Sequence, residues 1–253
     1  MTSSDSTGPS VTPDDGGGAR RPGGQVLLQG GGEMREGTRA MDAAFLAEAP
    51  PGPVVVLLGA ATPGSDHARA SARALRYHEA LVGDRGLVVA PHPEDDLAGC
   101  VGLVAGAAVV VLPGGSPVRL LDGLRADGGR LGAALVARHA AGASLSGSSA
   151  GAMVLCARAA QPDRSGPSGL VVHDGLGLVP GLAVVHDDGS GDGRWRDPAD
   201  PDGPRWGLPE QGGVLVADGL VRAVGRGPAR LLRRGSSTVL GGDPVPLDDL
   251  LAG

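Results

Sequence analysis

The chain has 253 residues and a formal charge of −6, enough for one large domain or two small ones. Glycine (46) and proline (21) make up about a quarter of it, but Lys, Ile and Asn are absent and all 22 basic residues are Arg. The missing residues have AT-rich codons, so GC-rich coding accounts for the excess better than disorder does, and the negative charge without an Arg run longer than two speaks against a nucleic-acid binder.

Residues 1–24 lack a basic start followed by an apolar stretch and read as a solvated, disordered tail rather than a secretory signal. Residues 25–253 read as a single domain. Aromatics are only 2% of the chain, so its core must be built from Ala, Val and Leu. Gln25–Gln29 predicts a buried strand running into Gly30-Gly31-Gly32-Glu33. A helix follows over Arg35–Glu48, a strand over Val54–Leu58, a helix over Asp66–Val82 and a strand over Gly86–Ala90. Glu94–Ala105 is helical in pattern, and Ala107–Leu112 is a strand ending in Pro113-Gly114-Gly115. Val118–Arg125 and Leu131–Ala140 are helical, and Ala143–Ser146 leads into Gly147-Ser148-Ser149-Ala150-Gly151. A helix is expected from Ala152 to Ala160. Asp187–Gly213 is crowded with Gly, Pro and Asp and reads as loop. Val214–Ala217, Asp218-Gly219 and Leu220–Val224 read as a β-hairpin, with a further short strand at Ala229–Leu232.

Continuous apolar strands separated by helices indicate a parallel sheet covered on both faces. The fold class is therefore α/β: a doubly wound, mostly parallel sheet with helices on both faces and a C-terminal β-hairpin. Functional residues in such folds gather beyond the C-terminal ends of the strands. Cys100 and Cys156 lie in apolar or helical-looking stretches, which argues against a disulfide framework or a zinc site. The longest apolar run, Val101–Pro113, is too short and too glycine-rich to span a bilayer. A cytoplasmic protein with no metal, no cofactor, no nucleic-acid partner and no membrane partner is expected.

The most specific motif is Gly147-Ser148-Ser149-Ala150-Gly151-Ala152, a G-x-S-x-G between a strand and a helix. That context defines a nucleophile elbow, a sharp turn that pushes the central Oγ out at the top of the sheet and tolerates only small neighbours. The amide after the nucleophile, Ala150 N–H, is placed to stabilise an oxyanion. A serine nucleophile needs a base. His67, His78 and His139 sit in helical stretches and read as surface residues, and His92 lies in a Pro-His-Pro loop. His186, at the end of the apolar segment Gly181–Val185, suits a fixed base better than His173. The short interval between Ser149 and His186, with no later histidine, departs from the α/β-hydrolase order.

These residues carry a resemblance. Gly30-Gly31-Gly32-Glu33, Leu112-Pro113-Gly114-Gly115, the elbow, Gly175-Leu176-Gly177-Leu178-Val179-Pro180-Gly181 leading to His186, and Gly207-Leu208-Pro209-Glu210 occur in order over residues 25–240. Together they are similar to the dipeptidase E and cyanophycinase group of serine peptidases, which have a class I glutamine-amidotransferase-like fold. The resemblance implies Ser149 as nucleophile, His186 as general base, and the amides of Gly115 and Ala150 as the oxyanion hole. It implies an acid between nucleophile and histidine, for which Asp163 has the family-like spacing and Asp174 is the alternative. Glu33, Ser116 and Glu210 are expected to line the substrate site. The implied substrates are short peptides or isopeptides, including aspartyl ones, for which Arg119 or Arg164 would be a partner. A homodimer is also expected from the family. Serine rather than cysteine at the elbow argues against a glutaminase. Two departures, His186-Asp187-Asp188 and Gly115-Ser116-Pro117, leave a non-catalytic member that binds a small ligand or partner as the alternative.

Overall fold

Each apolar run closes into a short strand because neighbouring runs can pair only side by side, with their crossover helices above and below. The computed structural model describes residues 24–59, 61–162, 169–189 and 203–252, so the expected tail up to residue 23 lies outside the described residues. Strands β1 (Val26–Gln29), β2 (Val54–Val56), β3 (Leu87–Val89), β4 (Val109–Leu112) and β5 (Ser144–Ser148) are parallel, in the order β1-β5-β4-β2-β3.

Alternate residues of these strands face different helices. Leu28, Val55, Val110 and Leu145 pack with Cys100 and Val104 of α3 (Leu97–Gly106) and with Leu120, Leu121 and Leu135 of α4 (Pro117–Ala140). Leu27, Val54 and Val109 pack with Met41, Phe45 and Leu46 of α1 (Arg39–Glu48), and Val56 packs with Ala74 of α2 (His67–Val82). The sheet is thus covered on both faces, as its continuous apolar strands require. The two helices expected over residues 118–140 form one element interrupted at Ala126–Gly129, where the backbone leaves helical geometry.

The hairpin forms at the expected place. Strands β10 (Gly212–Ala217) and β11 (Leu220–Gly225) are joined by Asp218-Gly219, both with positive φ. β10 pairs antiparallel with β1, and with the edge strand β14 (Val245–Pro246) the main sheet has eight strands among the described residues.

The second half corrects the expected helix over Ala152–Ala160. Helix α5 (Ala150–Leu155) stops after six residues, and Cys156–Pro162 is strand β6. The carbonyls of Val154, Leu155 and Cys156 accept hydrogen bonds from the amides of Leu176, Leu178 and Gly177, so the returning chain replaces the next helical turn. The Ala-rich sequence favours helix locally, and pairing with β7 (Leu170–Asp174) and β8 (Val179–Val184) overrides it. These strands form a second sheet, in the order β13-β12-β9-β8-β6-β7, with β9 (Arg205–Gly207), β12 (Arg230–Arg233) and β13 (Ser236–Val239). β9 falls inside the stretch expected to be loop. Its Trp206 is fully buried and donates from Nε1 to the Pro180 carbonyl at 2.7 Å, an anchor between β9 and β8. A short helix, α6 (Leu247–Ala252), closes the described chain. Among the described residues no helix is long and apolar enough to cross a membrane.

Candidate active site

The site lies where β1, β4, β5 and β8 deliver their C-terminal ends. Ser149 follows β5 with φ 50° and ψ −112°, a backbone conformation costly for a residue with a Cβ and typical of a strained elbow. The motif's small residues have visible causes. A Cβ on Gly147 would come within 2.5 Å of the Gly151 backbone, and one on Gly151 within 2.0 Å of the Leu112 carbonyl oxygen. The Ser149 amide donates to the Gln29 carbonyl at 2.9 Å and its carbonyl accepts from Met153, so the strained residue is tied to β1 and to α5.

Ser149 Oγ lies 3.1 Å from Nε2 of His186. His186 follows Val185 at the end of β8, has φ 56°, and donates its backbone N–H to the Gly30 carbonyl. The imidazole lies against Gly31, whose φ of 131° and missing side chain open the space. A Cβ there would meet the ring's Cε1 at 2.3 Å. On the far side of the ring, Nδ1 lies 3.0 Å from Oε1 of Glu210. An Nδ1–H donated to Glu210 leaves Nε2 as the acceptor facing Ser149, the tautomer a base needs. The His186 side chain is 41% exposed and that of Glu210 55%, so solvent reaches this chain of bonds.

The other expected site residues are distributed as follows. Glu33 is not directed at open space: Oε1 accepts from Gly114 N–H and Oε2 from Ser148 Oγ–H, each at 3.0 Å. Ser116 caps α4, its Oγ accepting from Arg119 N–H. The Gly115 and Ala150 amides donate no hydrogen bond among the described residues. Gly115 is held by close packing on Ala61, whose carbonyl accepts from Ser116 N–H at 3.0 Å. Asp163 and Arg164 lie outside the described residues. Asp174 is exposed on β7, 3.9 Å from Arg158. Arg119 borders a cavity of about 220 Å³ with Thr62, His92, Glu94 and Asp122.

One residue reading needs correction. His78 is buried rather than a surface residue, with Nδ1 on the Ala74 carbonyl; His92, in its Pro-His-Pro loop, is also buried, with Nε2 on the Thr62 carbonyl. Burial holds the His78 imidazole below its usual range. His78 borders a buried network missed in the sequence, in which Tyr77 Oη donates to Asp42 Oδ2 at 2.5 Å, Gln29 Nε2 donates to Oδ1 at 2.6 Å, and Thr38 meets Tyr77 at 2.8 Å. Burial pushes the Asp42 carboxyl up against the opposing pull of these bonds. An acid on the apolar side of α1, between Met41 and Phe45, was the one available signal.

The two departures from the family pattern have structural reasons. Asp187 is buried, lies 3.5 Å from Nη1 of Arg230, and accepts from Gly189 N–H. Ser116 and Pro117 form a capped helix start with proline in the first turn. Neither departure removes a group from the Ser149–His186 pair. Both cysteines are free and buried, and burial raises Cys156 to about 12 and Cys100 to about 11, so neither supplies a thiolate. Among the described residues no cluster of His, Cys, Asp or Glu could hold a metal ion.

Among solved structures, the chain is similar to a peptidase from an acI-B1 Actinobacterium, with TM-score 0.73 and 19% identity over 90% of this chain and 98% of that one. It is also similar to a protein assigned as peptidase E from Listeria monocytogenes EGD-e, with TM-score 0.60 and 13% identity over 81% of this chain and 100% of that one. No curated protein matches the sequence. At these identities the structures establish the fold. The model of Peptidase family S51 matches residues 26–197, most of the chain, a span that contains Ser149 and His186 and ends before Glu210. The chain therefore belongs to peptidase family S51, the dipeptidase E and cyanophycinase family, and is a serine peptidase.

Proposed function

We propose that the protein hydrolyses short peptides or isopeptides through an acyl-enzyme on Ser149. The observation that carries this reading is the continuous chain from Ser149 Oγ through His186 to Glu210, with links of 3.1 and 3.0 Å. His186 Nε2 takes the hydroxyl proton as Oγ attacks the scissile carbonyl, and the imidazolium is stabilised by Glu210 at Nδ1. The amides of Gly115 and Ala150, which donate to no other group among the described residues, receive the oxyanion. Collapse of the tetrahedral intermediate returns the proton from His186 to the leaving amine. Water, activated by the same nitrogen, then releases the acid and restores Ser149.

Glu210 takes the orienting role that the resemblance reserved for an acid between nucleophile and base, because it is the described carboxylate that meets Nδ1. The substrate preference for aspartyl groups rests on the family resemblance, with Arg119 as the described cation in the first turn of the helix that follows the Gly114-Gly115 turn. The test is hydrolysis of α-aspartyl and β-aspartyl dipeptides and neutral dipeptides by the wild-type chain and by Ser149→Ala. Cleavage of a short peptide that disappears in the variant supports the reading. Cleavage that survives the substitution refutes it.

A further inference from the structure

We infer that Glu33 is a positioning residue for the oxyanion hole, acting through the Gly114–Gly115 peptide; this rests on the acyl-enzyme reading above. The N–H that would face the oxyanion belongs to a peptide flanked by glycine on both sides. Such a unit has little steric resistance to rotation, because neither neighbour has a Cβ to restrict φ and ψ. A donor that swings is worth little in catalysis, since the benefit of such a group comes from being aimed before the charge develops.

The geometry holds this peptide from both ends. Upstream, Gly114 N–H donates to Glu33 Oε1 at 3.0 Å. Downstream, Ser116 N–H donates to the Ala61 carbonyl at 3.0 Å, and Gly115 packs so closely on Ala61 that a Cβ would lie 2.4 Å from its oxygen. The Gly114–Gly115 peptide is thus clamped between two hydrogen bonds. The second oxygen of Glu33 accepts from Ser148 Oγ–H at 3.0 Å, one residue before the nucleophile. A single carboxylate at the end of β1 therefore joins the turn after β4 to the turn after β5, and these two turns carry the Gly115 and Ala150 amides. Gly114 itself fits only as glycine, since a Cβ would lie 2.7 Å from Glu33 Oε1 and 3.2 Å from Ser149 Cβ. Both carboxylate oxygens are engaged by the protein, which suits a positioning role better than substrate capture.

The pattern makes a discriminating demand. Glutamine at position 33 can still accept from Gly114 N–H through its oxygen and can donate its NH₂ to Ser148 Oγ, because a hydroxyl both donates and accepts. Positioning thus needs the two bonds and not the charge. The experiment follows inactivation by a fluorophosphonate probe in the wild type, Glu33→Ala and Glu33→Gln, with ¹⁵N-glycine spectra of all three. Glu33→Ala is expected to lower the limiting inactivation rate about 10-fold to 100-fold, somewhat less than complete loss of one oxyanion donor. The half-saturating probe concentration should change less than about threefold, and the Gly115 amide resonance should shift or broaden. Glu33→Gln should recover the rate to within about fivefold of wild type and restore the resonance.

A Glu33→Ala protein that reacts at the wild-type rate overturns the inference. So does a Glu33→Gln protein as slow as the alanine variant, which would assign the role to charge. If the wild type itself is not labelled, the acyl-enzyme reading fails, and the glycine spectra still decide whether Glu33 holds the Gly115 peptide. An unmoved resonance in Glu33→Ala overturns that as well.

Discussion

Gly31→Ala is the sharpest perturbation available without touching a reacting group. Gly31 has φ 131°, and a Cβ built on it lies 2.3 Å from Cε1, 2.8 Å from Nδ1 and 3.1 Å from Nε2 of His186. Carbon atoms in contact sit at ~3.5–4.0 Å, so the ring must retreat by at least ~1.2 Å or rotate out of place. The Ser149 Oγ to Nε2 separation is 3.1 Å before substitution. A retreat of that size carries it past about 3.6 Å, where the hydrogen bond is lost. A displacement of about 1 Å in a catalytic group can cost about 10²-fold in rate. Gly31→Ala should therefore slow fluorophosphonate inactivation by about 10²-fold to 10³-fold, with about 1–3 kcal/mol lost from stability through the backbone conformation. The control is Gly177→Ala, at φ 72° with nothing within 4 Å of the added methyl group. It too puts a methyl group on a positive-φ backbone and should react at the wild-type rate. Rates are read by stopped-time labelling, and folding by urea unfolding. A folded Gly31→Ala protein that labels as fast as Gly177→Ala would refute the placement of the imidazole against Gly31, and with it the argument for that glycine.

Further outcomes follow from the same geometry. Glu210→Ala should lower the inactivation rate by about 10²-fold to 10³-fold, less than the largest losses known for triad acids because the pair is partly solvated, and a rate unchanged from wild type would separate Glu210 from the mechanism. Tyr77→Phe removes the hydroxyl that bonds Asp42 and Thr38 in the core and should cost about 1.5–3 kcal/mol in urea unfolding, with the labelling rate little changed. Iodoacetamide at pH 8 should leave the folded protein unmodified and fully reactive toward the fluorophosphonate, because burial shields both thiols and pushes Cys100 up to about 11 and Cys156 up to about 12, whereas two carbamidomethyl groups should appear once urea unfolds the chain.

The sequence carried the parallel half of the fold well because its signals are local. Runs such as Val54–Val56 and Val109–Leu112 have apolar side chains toward both faces, and the helices between them show their own periodicity. The hairpin at Asp218-Gly219 was equally plain. The second sheet was not, because β6 is rich in alanine and β9 is three residues long, so pairing with distant strands decided both. At the site, the tight turn of Gly147–Gly151 after β5 and the place of His186 just beyond β8 could be read from residues adjacent in sequence. The Glu210 carboxylate comes from a segment 24 residues beyond His186, and only the return of the chain beside β1, with Gln211 N–H on the Gly31 carbonyl, brings it to Nδ1. Glu33 was legible as a residue near the site, whereas its two bonds to Gly114 and Ser148 depend on strands β1, β4 and β5 ending together.

The most direct test of the account is to locate the covalent adduct. The wild-type chain is treated with a fluorophosphonate, digested and mapped by mass spectrometry, beside Ser149→Ala and His186→Ala. One adduct is expected, on Ser149, absent from Ser149→Ala and formed far more slowly in His186→Ala. An adduct on another residue, or labelling that persists in Ser149→Ala, would contradict it.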